Sequence, residues 1–448
     1  GRSSPGRPHC GGGCLKEAAL RRLALDLYQH ALEAVRGDRA VRRALACASG
    51  GTPVAVVAVG KAACAMAAGA RQALGPNLER GLVITRHGYE TGFDIGELPV
   101  LTAGHPVPDA ASLRAGRRLL DFLAALPPGR EILFLLSGGA SSLVEVLPPG
   151  AALADLVRAN QWLLASGLDI HQINRVRASL SVIKAGRLAA RVAGRPVRAL
   201  LMSDVPDDRP ASIGSGLLAP ADEEGALPSG LPGWLRDLAG AAPPAPRSGD
   251  PALDRVETRI IASNRDALEA AAARADGLGL TATVHSVPLV GPTEGASRRI
   301  SRRIGASARG GTRIHLWGGE TTPSLPPAPG RGGRSQHLAL ALARALAGRR
   351  NACILCAGTD GSDGPGEDAG ALVDGGTVER GRAEGMNEAV CFEAADSGRF
   401  LEASGDLLST GPTGANVMDV VIAVSAAGAD FPSRRRASTL GHGPGETS

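Results

Sequence analysis

Four apolar runs in the first half of the chain each end in a turn signal: PVAVVAVGKA at 53–62, GLVITRHG at 81–88, EILFLLSGG at 131–139 and VRALLMSDVPDD at 197–208. Short runs of this kind, rich in Val, Leu and Ile, predict strands covered on both faces. Ala/Leu-rich stretches at 61–74, 110–126 and 152–166 separate them and predict helices. Strands alternating with helices predict an α/β fold with a mainly parallel sheet. In such sheets ligands bind beyond the carboxyl ends of the strands, which is where the turn signals fall.

At 448 residues the chain exceeds one ordinary compact core, so two or three domains are expected. Hydrophobic residues make up 44% and charged residues 21%, without an apolar run of about 18, which predicts a soluble globular protein rather than a membrane one. Residues 1–18 read as a flexible leader, and 15–49 carry apolar residues at helical spacing. The stretch 226–251, rich in Pro, Gly and Ala, marks a boundary. A second α/β series follows, with apolar runs at 259–268, 281–289, 312–320, 352–361 and 417–426. The division expected is 19–230 for a first domain, 231–253 for a linker or loop, 254–427 for a second domain and 428–448 for a disordered tail. Seven scattered cysteines argue against a disulfide framework and for a reducing, cytoplasmic setting. Cys353 and Cys356 fall inside an apolar run and read as core. The net charge of +5 comes from dispersed arginines, and aromatic residues are only 2%, so nucleic acid is not the expected partner.

The chemistry-bearing residues gather at the strand ends. Ser137, Gly138, Gly139, Ser141 and Ser142 form either an ordinary turn or a cradle in which backbone amides and hydroxyls meet a phosphate. The stretch fits neither G-x-x-x-x-G-K-[ST] nor G-x-G-x-x-G, nor the hydrolase elbow G-x-S-x-G. Lys61, directly after an apolar strand and Gly60, either snorkels to the surface or meets an anion. Asp204, with Asp207 and Asp208 behind it, suits magnesium or a base that takes a hydroxyl proton; a turn-forming role fits Asp207 and Asp208 better. Asp360, Asp363 and Asp368 repeat the acidic theme in AGTDGSDGPGEDAG. Arg334, at a Gly-rich helix entry, is a candidate clamp for a carboxylate or phosphate. Glu320 in WGGETT, and Asn416 and Asp419 in GPTGANVMD, lie on similar turns. INRVRASLSVIKAGRLA carries Asn174, Arg175, Arg177, Lys184 and Arg187 on a basic face that is solvated or turned to an anion. His105 in AGHPVPD reads as a loop pin.

These motifs, in this order, resemble the class II glycerate kinases, whose C-terminal part is the MOFRL domain. The resemblance covers roughly 20–425 and rests on VGKA, AGHPVPD, LLSGGASSL, INRVRASLSVIKAGRLA, MSDVPDD, GGETT, GRGGRSQHLAL, AGTDGSDGP and TGPTGANVMD. It implies a Rossmann-like three-layer α/β/α N-terminal domain, a C-terminal α/β domain and an active site in the cleft between them. It further implies ATP and magnesium as cofactors and phosphorylation of D-glycerate or a similar short hydroxy acid, at the 2-hydroxyl. No membrane partner is expected, and a homodimer is left open. Lys61 and Arg334 are implied as the catalytic cations, contacting the phosphoryl group and the glycerate carboxylate. Asp204 and Asp360 are implied as catalytic and metal-binding acids. Ser137, Gly138, Gly139, Ser141, Ser142, Asn174 and Glu320 are implied on the nucleotide.

This chain departs from the family pattern where GGRNQE is Gly332-Gly333-Arg334-Ser335-Gln336-His337, where SDVPGD carries Asp207, and where SGP ends in Leu217. Two alternatives stand beside the kinase. One is a nicotinamide-dependent hydroxypyruvate reductase, the name once given to many family members. The other is a catalytically impaired nucleotide-binding homologue.

Overall fold

The computed structural model describes residues 12–46, 51–168, 170–220, 227–306 and 311–426. Its first sheet contains β1 (Val54–Val59), β2 (Leu78–Arg86), β3 (Val100–Ala103), β4 (Glu131–Leu136), β5 (Val197–Met202) and β6 (Val256–Ala262). All pair in parallel, in the order β3-β2-β1-β4-β5-β6. The two-residue period of a strand divides β1 between two cores: Val54, Val56 and Ala58 face one, Ala55, Val57 and Val59 the other. That is why its sequence shows no polar alternation.

The second sheet contains β7 (Thr281–Val284), β8 (Leu289–Pro292), β9 (Arg313–Thr322), β10 (Ala352–Gly358), β11 (Gly370–Asp374), β12 (Leu407–Leu408) and β13 (Asp419–Ser425). The order is β12-β11-β10-β13-β9-β7, with β8 also pairing with β9. Only β7 and β8 run parallel to their neighbour; β13 is antiparallel to both β9 and β10. Strand direction is invisible to apolar patterning, which reports only that both faces are covered.

Between the sheets lies a shared helical layer. Helices Gly12–Val35, Gly37–Leu45, Ala63–Leu74 and Asn264–Gly277 bury Leu27, Val41, Met66 and Leu268 in one core with Val56 and Leu133 of the first sheet and Leu316, Leu355 and Val420 of the second. Tyr28 on the first helix donates its hydroxyl to the carbonyl of Gly358 at 2.7 Å. Helix Ala110–Ala124 covers the outer face of the first sheet, and helices Thr293–Ala306 and Arg334–Leu346 cover that of the second. Cys353 and Cys356 are buried in different cores, on opposite faces of β10, so they form no redox pair. Among the described residues no helix is long and apolar enough to cross a membrane.

Three expectations change. Residues 12–18 are the start of the first helix rather than the end of a leader; residues 1–11 and the tail at 428–448 lie outside the described residues. Strand β6 belongs to the first sheet, beside β5, so the sheets do not divide at the composition break. Within the expected linker, helix Gly233–Ala239 buries Leu235 and Ala239 against Leu156, Leu163 and Val176. Flanking Pro and Gly masked this short helix of about two turns.

Helix Ala110–Ala124 shows how sharply local chemistry sets a boundary. Asp109 accepts the Ser112 amide at 2.9 Å while Ser112 Oγ accepts the Asp109 amide at 3.0 Å, a reciprocal cap. Burial works against ionisation of Asp109, but His87 and the Ser112 amide outweigh it and hold the carboxyl at about 2. Asp109→Ala is expected to cost about 1 kcal/mol in urea denaturation at neutral pH. Because the folded pKa lies below the ordinary value of 3.8, this stabilisation is present above about pH 4 and is lost towards pH 2. The wild-type and variant stabilities should therefore converge over that window.

Candidate active site

The strand order of the first sheet reverses between β1 and β4: from β1 the chain proceeds outward to β2 and β3, and from β4 to β5 and β6 on the other side. A crevice opens beyond the carboxyl ends of strands at such a reversal. Lys61 follows β1, Ser137–Ser142 follow β4, His105 follows β3 and Asp204 follows β5. Four expected or noted site segments thus converge because they terminate parallel strands of one sheet.

The β1 and β4 loops interlock. Gly60 adopts φ +133°, and a Cβ there would stand 2.1 Å from Ser137 Oγ. Ser137 is fully buried, and its Oγ accepts the amide of Ala62 at 3.0 Å; the Lys61 amide donates to the Gly138 carbonyl at 3.0 Å. Ser137 therefore staples the two loops together. Gly138 has no room for a side chain, since a Cβ would lie 1.8 Å from Asp204 Oδ2 and 2.3 Å from Asn416 Nδ2.

The second sheet supplies the opposite side. Asp360 follows β10, Glu320 lies near the end of β9, and Asp419 opens β13, which runs antiparallel to both and so begins where they end. Lys61 Nζ meets Asp360 Oδ2 at 2.7 Å across the cleft, with the side chains 16% and 7% exposed. Burial depresses Lys61, but Asp360 more than compensates, so the ammonium is held above its ordinary pKa. Asp360 is correspondingly pushed up by burial and carried below its ordinary value by Lys61.

Arg334 begins its helix with Nε 2.7 Å and Nη2 3.0 Å from the two Asp419 oxygens, and Nη2 also reaches Glu320. A guanidinium already carrying two carboxylates is poorly placed to clamp a substrate carboxylate; Nη1 remains for one anionic oxygen. Ser335, one of the departures, donates its hydroxyl to Asp419 at 2.9 Å and its amide to Asp363 at 3.0 Å. His337 is buried and stacks on Phe392 with ring centres 4.2 Å apart, Leu217 is core, and Asp207 is exposed on a turn. Among the departures, Ser335 alone bonds to the acids that hold Arg334.

Asp204 makes no ion pair among the described residues, and burial raises its carboxyl above the ordinary value despite Lys61 and Arg334. His105 is driven down to about 3 by burial and then by Lys61 and Arg86, so the ring is neutral. Both line a cavity of about 220 Å³ with Gly139, Ser141, Ser142, Asn174 and Arg177. Ser141 Oγ lies 2.7 Å from Ser215 Oγ, and Ser142 donates to the Gly139 carbonyl at 3.1 Å. Lys184 also borders the cavity, paired at 2.5 Å with Glu145, the two side chains being 4% and 0% exposed.

Residues 23–227 match a family profile described as a domain of unknown function, and residues 313–419 match the MOFRL family. D-glycerate 2-kinase of Thermotoga maritima is 36% identical over 90% of this chain and 98% of its own length. The chain belongs to the glycerate kinase family. A family member from Agrobacterium vitis, bearing hydroxypyruvate reductase as a provisional name, is 37% identical over 82% of this chain and 85% of its own. The crystal structure of a Thermotoga maritima glycerate kinase superposes with a TM-score of 0.77 at 34% identity, covering 91% of this chain and all of the other.

Within this glycerate kinase fold, the partners of Arg334 and Lys184 escape a sequence reading. Asp419 was visible in TGPTGANVMD but without an assigned partner, and Glu145 sits in an apolar stretch with no motif. Their roles arise from strand register and helix packing, which place residues 85 and 39 positions apart in contact.

Two outcomes follow. Gly138→Ala is expected to displace Asp204 and lower turnover about 100-fold in a glycerate kinase assay, with the melting temperature little changed. Lys184→Met leaves the Glu145 carboxylate buried alone and is expected to cost about 3–5 kcal/mol in chemical denaturation, a loss largely recovered in Lys184→Met/Glu145→Gln.

Proposed function

We propose that this protein transfers the γ-phosphoryl group of ATP to the 2-hydroxyl of D-glycerate, giving 2-phospho-D-glycerate and ADP. The observation that carries this reading is the meeting of Lys61, Asp360, Arg334 and Asp204 from two sheets at one switch-point crevice. Phosphoryl transfer asks a protein chiefly for positioning and charge neutralisation, which paired, pre-oriented cations and acids provide.

In this scheme the glycerate hydroxyl oxygen forms the bond to the γ-phosphorus as the bond to the β,γ-bridging oxygen breaks. The hydroxyl proton passes to Asp204, whose raised pKa suits a base. Lys61 and Nη1 of Arg334 face the charge on the transferring group, and Glu320 fixes Arg334. Amides at Gly138 and Gly139, with the hydroxyls of Ser141 and Ser142, receive nucleotide phosphates, and Asn174 borders the same space. Magnesium typically takes one or two protein carboxylates plus phosphate oxygens. Among the described residues no three acidic, His or Cys side chains form a ready cage, and Asp204 and Asp360 match that sparse demand. Bound there, it would neutralise charge on the β and γ oxygens. The four described cysteines are free and buried, which supports residence in a reducing cytoplasm.

The test is an ADP-release assay with D-glycerate, ATP and magnesium, run beside NADH oxidation with hydroxypyruvate. Phosphorus NMR of the product reports which hydroxyl is modified. Lys61→Ala should lower kcat by about 100- to 1000-fold. Full activity in that variant would remove Lys61 from the mechanism, and NADH oxidation without ADP release would overturn the kinase.

A further inference from the structure

The cavity beside Asp204 has two walls of different origin. One is made by the strand-end loops, with Gly139, Ser141 and Asp204. The other is made by helices Leu153–Ala165 and Ile170–Ser179, which carry Asn160 and Arg177 and pack through their own small core of Leu156, Leu163, Val176 and Leu235.

Arg177 on that second wall is held for use. Its Nε donates to Asn160 Oδ1 at 2.9 Å, and Asn160 is itself fixed by donating Nδ2 to the Leu156 carbonyl at 3.0 Å. The Nη1 and Nη2 end of the fork is left without a carboxylate among the described residues. Three other cations nearby are committed to carboxylates: Lys184 to Glu145, Lys61 to Asp360, Arg334 to Asp419 and Glu320. A cation that has lost part of its water and gained no counter-ion is expensive unless a ligand supplies one. Burial does depress Arg177, with no opposing partner.

We propose that Arg177 is the specificity-determining residue that binds the carboxylate of the hydroxy-acid acceptor, end-on through Nη1 and Nη2; this rests on the kinase reading above. A planar fork matches a carboxylate bidentately. The cavity, at about 220 Å³, suits a three-carbon acid, and among the described residues no Phe, Tyr or Trp lines it to stack on a nucleotide base. Like-charge repulsion keeps the acceptor carboxylate from Asp204 on the opposite wall, so binding at Arg177 turns the hydroxyl end towards Asp204. The same residue thus selects the acid and orients it.

The experiment compares wild type, Arg177→Gln and Arg177→Lys in the ADP-release assay, with D-glycerate and its neutral analogue glyceramide as acceptors. Arg177→Gln should raise KM for D-glycerate by about 10- to 100-fold, the size of a charge-assisted contact, while KM for ATP stays near wild type. Preference for glycerate over glyceramide should collapse in the Gln variant and return in part with Lys. If Arg177→Gln does not fold, Arg177→Lys carries the same KM split at smaller size. An unchanged KM for glycerate in the folded variants, or a rise confined to ATP, overturns the assignment, the latter placing Arg177 on the polyphosphate. Wild-type protein that releases no ADP with glycerate overturns the kinase reading; isothermal titration of D-glycerate into wild type and Arg177→Gln then decides the carboxylate site on its own, weaker binding in the variant supporting it and equal binding ending it.

Discussion

The ion pair between Lys61 and Asp360 exists only if two sheets are held at one separation. Lys61 ends a strand of the parallel sheet and Asp360 ends a strand of the mixed sheet, 299 positions later. Neither charge has enough water to stand alone, so the pair is formed at a desolvation cost that its attraction does little more than offset. Its placement makes better sense as preorganisation. Two opposite charges already fixed at a crevice can exchange partners with an anionic ligand without first being assembled.

Around that pair the site is a set of matched charges with few loose ends. Arg334 is shared by Asp419 and Glu320, Lys184 is sealed with Glu145, and His105 is kept neutral by burial and neighbouring cations. Two groups stand apart. Among the described residues Asp204 carries a carboxyl without an ion-pair partner, and Arg177 carries a guanidinium whose side-chain partner is the amide of Asn160. These two face one cavity from different walls, so the fold itself gives the electrostatic asymmetry a direction.

Much of this was legible in the sequence. Apolar runs located β1, β2, β4, β5, β9, β10 and β13, and turn signals after them located Lys61, Asp204 and Asp360, because a parallel strand delivers its following residues to a common edge. The four-residue β3 was missed, since an edge strand that short leaves no run to detect. The antiparallel β13 was found without its direction, and with that direction went the meaning of Asp419, which reaches Arg334 only because its strand begins where β9 ends. The loop-stapling contact of Ser137 was hidden for a different reason. Sequence shows a hydroxyl beside two glycines, but its bond to the Ala62 amide depends on how closely the β1 loop is seated, so closely that a Cβ on Gly60 would stand 2.1 Å from Ser137 Oγ. Composition also misled at 231–253, where Pro and Gly flank a helix with a buried face.

The shared helical layer bears on how the molecule unfolds. The matched segments 23–227 and 313–419 read as two modules, yet the first helix lies between the sheets and β6 and helix Asn264–Gly277 come from neither segment. Cutting the chain between them would strip one sheet of its outermost strand and expose the apolar faces of both. The halves are therefore partners in a single cooperative transition, and a fault in the long first helix weakens the two sides of the catalytic cleft together.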